Sequence, residues 1–212
     1  MSNKNKTLLA GALLLAIATM GGAGGAAAQT FASLPLIAEP ANAVGAARAL
    51  PAWTEFCSRH PAECAINRDE PEVMILSAKA WASIVAVNRR VNAEITPVTD
   101  AEHWGVPDRW DIPTDGSGDC EDYQLLKRKL LAEAGLPRRA MRVTVVIDEK
   151  NEGHAVLMIR TNRGDLVLDN KHDNVQPWFE TGYTFVKRES ADEIGWVSLG
   201  RAVSPVTTAN RR

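Results

Sequence analysis

The sequence predicts an α+β domain, with N-terminal helices packed on an antiparallel sheet. Apolar residues recur at helical spacing in the first half and at alternate positions in the second, and the two regimes do not interleave. Before either comes a leader. Lys4 and Lys6 precede the apolar run TLLAGALLLAIATM, and small residues follow to Ala26-Ala27-Ala28, which is the pattern of a secretory signal peptide covering 1–28. The run is too short for the roughly 20 residues that span a bilayer. Residues 29–52, with prolines at 35 and 40, read as an extended lead-in, 53–203 as one domain, and 204–212 as a loose tail. From Glu72 to Ile95 the positions Val73, Leu76, Ala80, Ile84, Val87, Val91 and Ile95 form one buried helical stripe, ended by Thr96-Pro97. Residues 98–118, carrying Trp104 and Trp110, read as a long loop, a feature that itself suggests function. Asp119 then has the character of an N-cap, with Asp122 in the capping-box place, Tyr123, Leu126, Leu130 and Ala134 on one face, and Gly135 with Pro137 as the stop. The segments RVTVVID (142–148), HAVLMIR (154–160) and DLVLDN (165–170) alternate with turn residues and predict an antiparallel meander. TGYTFVKRE (181–189) and IGWVSLG (194–200) add to the sheet.

Charge and cysteine usage narrow the setting. Losing Lys4 and Lys6 with the leader takes the 24 basic residues to 22 against 26 acidic ones, a net charge near −4, so the basic footprint of a nucleic-acid binder is absent. No later stretch is apolar enough to cross a membrane, and an exported, periplasmic protein that does not span the bilayer is expected. Export to an oxidising compartment would allow Cys57 and Cys64 to pair, leaving Cys120 free. In a continuous helix the two would lie about 10 Å apart at 1.5 Å rise per residue, too far to bridge, but His60-Pro61 favours a bend between them. Two reduced core cysteines are the alternative.

The stretch SGDCED (117–122) sets the chemical problem. Cys120 falls in the first turn of a helix, where unpaired backbone N–H groups and the helix dipole lower a thiol pKa and can receive an oxyanion. Yet Asp119, Glu121 and Asp122 crowd it with negative charge, which opposes ionisation. A nucleophile also needs a base and a group to orient that base. His154 opens a strand beside a turn. If that strand pairs with DLVLDN through a two-residue loop at Asn162-Arg163, His154 opposes Lys171 and Asp169 lies diagonally on the same face, within reach of the imidazole. Cys120, His154 and Asp169 could then act as nucleophile, base and orienter. A loop of odd length would part the last two, and His172, His60 and His103 are rival bases. Trp104 and Trp110 lie where a second oxyanion donor could come from, although packing of the loop accounts for either.

The runs DCEDYQLLKRKLLAEAGLP and GHAVLMIRTNRGDLVLDN, with VNRRVNAEITPVTD and HWGVPDRWDIP upstream, resemble the bacterial transglutaminase-like cysteine proteinases, whose best-known members are LapG-type periplasmic proteases that clip large surface adhesins. The likeness runs from about Trp53 to Trp178. It implies a papain-like, transglutaminase-like core, Cys120 as nucleophile, His154 as general base, Asp169 as its orienter, and peptide-bond hydrolysis through a thioester. It also implies Ca²⁺ dependence, with Asp119 and Glu121 as metal ligands, a surface adhesin as substrate and an inner-membrane receptor as regulatory partner. Hard oxygen ligands suit Ca²⁺. The same acids would also serve a plain helix start, with Asp119 capping and Glu121 solvated. Two further readings stay open: acyl transfer from the thioester to an amine, and a non-catalytic envelope binding module.

Overall fold

The structure, a computed structural model, describes residues 34–202; the expected leader and the tail from Ser204 lie outside them. In chain order the elements are β1 (Gly45–Ala47), α1 (Pro51–Arg59), α2 (Pro61–Cys64), α3 (Ala78–Glu94), β2 (Thr96–Pro97), α4 (Asp100–His103), β3 (Ser117–Gly118), α5 (Cys120–Glu133), β4 (Met141–Ile147), β5 (Gly153–Thr161), β6 (Gly164–Leu168), β7 (Gln176–Pro177), β8 (Thr184–Glu189) and β9 (Trp196–Ser198). Seven strands form one antiparallel sheet in the order β1-β9-β8-β4-β5-β6-β7, and β2 and β3 pair separately in parallel. Among the described residues no helix is long and apolar enough to cross a membrane.

The meander β4-β5-β6 forms because each segment alternates, so one face collects Val143, Val145, Ala155, Leu157, Ile159, Leu166 and Leu168 against the helices. Val146, Val156, Met158, Val167 and Phe185 line the other face, which the lead-in covers with Ala41. That lead-in is more than an approach to the fold. It supplies the edge strand β1, and the carboxylate of Asp165 accepts the Ala41 N–H at 2.8 Å while Arg188 donates to its carbonyl at 3.0 Å. Asn162-Arg163 is indeed the β5–β6 loop, flanked by the Thr161–Gly164 pair.

One helix differs from the sequence reading and one bend agrees with it. The helix expected from Glu72 begins only at Ala78, where Ser77 caps it by accepting the Ala80 N–H at 3.1 Å. The preceding residues run instead along the β5–β6 hairpin, with Met74 N–H donating to the Arg160 carbonyl at 3.1 Å and Asn162 N–H to the Met74 carbonyl at 3.0 Å. The apolar period there serves an extended segment, because the hairpin supplies backbone partners that a helix turn would otherwise provide. Cys57 and Cys64 are joined by a disulfide. The helix breaks at His60, whose φ of −127° and ψ of 64° end α1 and start α2, which brings the two Cα atoms to 5.5 Å.

Candidate active site

α5 starts at Cys120 and packs on β5, which carries the sulfur to the end of the sheet. The β5–β6 ladder stops at the Leu157–Leu168 pair, and beyond it the Ala155 N–H donates to Cys120 Sγ at 3.4 Å. The residue before Ala155 is His154. Its Nε2 lies 2.8 Å from Asp169 Oδ1, and its Nδ1 is a buried atom with no hydrogen-bond partner. Asp169 follows the last residue of β6. Its Oδ1 also accepts the Lys171 N–H at 3.0 Å, its Oδ2 accepts the Tyr183 hydroxyl at 2.7 Å, and the Tyr183 ring meets the imidazole edge-on with centroids 5.7 Å apart. Burial alone would raise the Asp169 pKa. The bonds from His154, Lys171 and Tyr183, with the charge of His154, instead hold it well below the usual carboxylate range.

The rival histidines stand elsewhere. His60 contacts Asp111 at 3.2 Å, His103 contacts Asp115 at 2.8 Å and stacks on Trp104, and His172 is exposed. Trp110 is fully buried in the cluster that holds Cys120, while Trp104 lies half-exposed under the Arg109 guanidinium.

The acids around the sulfur form a larger group than SGDCED suggests. Ligand-type atoms of Asp100, Asp119 and Asp122, and those of Asp100, Asp108 and Glu121, lie within 4.8 Å of one another, as do those of Asp119, Cys120 and Glu121. Asp100 and Asp108 come from the 98–118 loop, and they join Asp119 and Glu121, the two acids the sequence reading named, in one cluster. The only local signal was that loop's length. The loop is bound to the helix start through these carboxylates: Asp122 Oδ1 accepts the Asp111 N–H at 2.8 Å, Asp119 Oδ2 accepts the Asp100 N–H at 3.3 Å, and Asp100 accepts the Arg109 N–H. Asp119 occupies the N-cap position, but its side chain caps nothing, because it is turned to the loop. Asp122 supplies one arm of the expected box by accepting the Asp119 N–H. Oδ1 atoms of Asp100, Asp108 and Asp119 are buried with no donor.

This crowding dominates the electrostatics. Burial, followed by the charges of Glu121 and Asp119, pushes the Cys120 thiol well above its ordinary value, so the lowering expected from the helix start does not prevail among the protein's own groups. The thiol donates to Glu121 Oε2 at 3.1 Å. Burial raises every acid of the group: Asp108 to about 6, Asp119 to about 7, Glu121 and Asp122 well above the carboxylate range, the last two also through the charge of Asp119. At neutral pH such a group must hold protons or a cation. Buried carboxylate oxygens without donors, gathered this closely, fit a hard divalent ion.

Residues 44–203 match the family model described as bacterial transglutaminase-like cysteine proteinase. Comparison with curated proteins yields no match. Among solved structures the chain is similar to LapG of Legionella pneumophila, at 25 % identity over 56 % of this chain and 68 % of that one, with a TM-score of 0.49. An EGTA-treated form of the same protein matches at 24 % identity over 56 % and 67 %, TM-score 0.48, and a calcium-bound form at 22 % over 61 % and 82 %, TM-score 0.46.

Proposed function

Since this chain belongs to the bacterial transglutaminase-like cysteine proteinase family, we propose that it is an exported, periplasmic cysteine endopeptidase working through Cys120, His154 and Asp169, dependent on Ca²⁺, and acting on a cell-surface protein of the adhesin type. The observation that carries the reading is the His154–Asp169 pair at 2.8 Å, borne by the residue next to the N–H that touches the Cys120 sulfur. With Nε2 committed to the carboxylate, Nδ1 is the ring atom left to take the thiol proton. The thiolate then adds to the substrate carbonyl carbon, and the oxyanion forms beside the backbone N–H groups at the start of α5. His154 returns its proton to the departing amine, leaving a thioester. Water, deprotonated by His154, adds to that thioester, and the acid product leaves as the thiol regains its proton. Asp169 stabilises the imidazolium in both halves.

Asp100, Asp108, Asp119 and Glu121 would hold the calcium ion, with Asp122 beside them. Bound there, Ca²⁺ supplies the positive charge that offsets the carboxylates around the sulfur and competes for the Glu121 oxygen that now accepts the thiol proton. An inner-membrane receptor that sequesters the enzyme belongs to the same proposal. The test compares envelope proteins from cells carrying the native chain with those carrying Cys120→Ala. One or more surface proteins should be shortened only with the native chain, and purified native protein should reproduce the cut in calcium but not in EGTA. Identical fragments from the Cys120→Ala strain would refute it.

A further inference from the structure

Asp169 is held from two directions by residues outside the catalytic group, its backbone turn from one and its carboxylate from the other. From one side comes α3. Asn88 and Asn92 are four residues apart, so they lie on one face of the helix, and both are buried. The Asn92 amide nitrogen reaches the Asp169 carbonyl at 2.9 Å, the His172 carbonyl at 3.1 Å and Asp173 Oδ1 at 3.0 Å. The Asn88 amide reaches the His172 carbonyl at 3.0 Å and the Asp173 carbonyl at 3.1 Å. From the other side the Tyr183 hydroxyl donates to Oδ2 while its ring packs against the imidazole.

This arrangement answers a local need. β6 ends at Leu168, so the backbone from Asp169 to Asp173 has left the ladder, and buried carbonyls in such a turn need donors. A helix face anchored in the core by Trp81, Ile84 and Val85 supplies them from a rigid support. The orienter of the base thus depends on a helix that contributes no group to the chemistry.

We propose that Asn88, Asn92 and Tyr183 are positioning residues that fix Asp169 against His154, so that their influence on Cys120 passes through the Asp169 carboxylate. The proposal rests on the Cys120–His154–Asp169 reading and names the parts that set its geometry. The probe is iodoacetamide alkylation of Cys120 in the purified calcium-loaded chain, measured from pH 5 to 9, which needs no knowledge of the natural substrate. Asn92→Ala and Tyr183→Phe should each slow alkylation at pH 7 severalfold and move the midpoint of its pH profile. In an Asp169→Ala background neither should move rate or midpoint further. Asn88→Ala, which touches the turn only beyond Asp169, should give a smaller effect of the same kind and serves should Asn92→Ala fail to fold; thermal melts establish that each variant is folded. Should the effects of Asn92→Ala and Tyr183→Phe persist in full without the Asp169 carboxylate, the positioning role is overturned while the triad stands. Should His154→Ala and Asp169→Ala leave alkylation unchanged, the triad reading itself falls, and this inference with it.

Discussion

Lowering the pH from 7 to 5 should weaken calcium binding, on the order of a few hundredfold, because a cation entering the acid cluster must displace the protons that its carboxylates hold. Asp108 is pushed up to about 6 and Asp119 to about 7, chiefly by burial. Treating the two as independent, protons occupy roughly 10 % and 50 % of them at pH 7 and roughly 90 % and 99 % at pH 5, which weakens binding on the order of 500-fold, or about 4 kcal/mol. Glu121 and Asp122, whose pKa values burial also raises well above the carboxylate range, add to the proton release. Calorimetric titration with Ca²⁺ at the two pH values measures the change in affinity, and repeating it in buffers of different ionisation enthalpy counts the protons released. Asp119→Asn should flatten the dependence while lowering the affinity. A dissociation constant that changes less than fivefold between pH 7 and 5, or binding with no proton release, would refute the assignment of these carboxylates as ligands.

The same groups fix the sign of a stability effect. Their folded-state pKa values are raised, so the stability they contribute is full below about pH 4, where an unfolded Asp titrates, and is lost as pH rises through 6 and 7; calcium-depleted protein should therefore melt higher at pH 5 than at pH 8, and saturating Ca²⁺ should reverse that order. Replacing both Cys57 and Cys64 by serine removes a short covalent loop and should cost about 2.5 kcal/mol on the loop-entropy account, seen as a melting point lowered by roughly 5–10 °C; an unchanged melt would show that the α1–α2 corner is held without the bond. Gly118→Ala would place a methyl group 2.5 Å from Asp122 Oδ2, so it should destabilise the protein by about 1–3 kcal/mol and weaken calcium binding. Unchanged affinity and melting point in that variant would mean that the helix start has room to shift.

Some of this site was legible because its signals are local. The start of α5 is marked by Asp119 and Asp122 and its end by Gly135 and Pro137, so Cys120 could be placed at a helix start without knowing the fold. The relation of His154 to Asp169 was legible on condition of a two-residue turn, since parity decides which strand residues share a face, and the structure supplies that turn. Asp100 and Asp108 were not legible, because nothing in a loop's composition says that it folds back onto a helix start more than ten residues away. Nor were Asn88 and Asn92. They interrupt a stripe that reads as core, and the carbonyls they serve lie about 80 residues downstream. The Glu72–Ser77 segment was misread for a related reason: its apolar period fits a helix, and only the β5–β6 hairpin supplies the competing backbone partners.

The sequence by itself determined the class of fold and the placement of the sulfur at a helix start, and it allowed the pairing of an imidazole with a carboxylate across adjacent strands. Each of these depends on periodicity or on residues within a few turns of one another. The tertiary structure decided how many acids surround the sulfur, which way the thiol proton points, and what holds the carboxylate behind the imidazole. Those outcomes depend on burial and on groups far apart in the chain. Burial changes the energy of an ionised group by more than any neighbour in sequence does, and it exists only once distant segments have closed over the site.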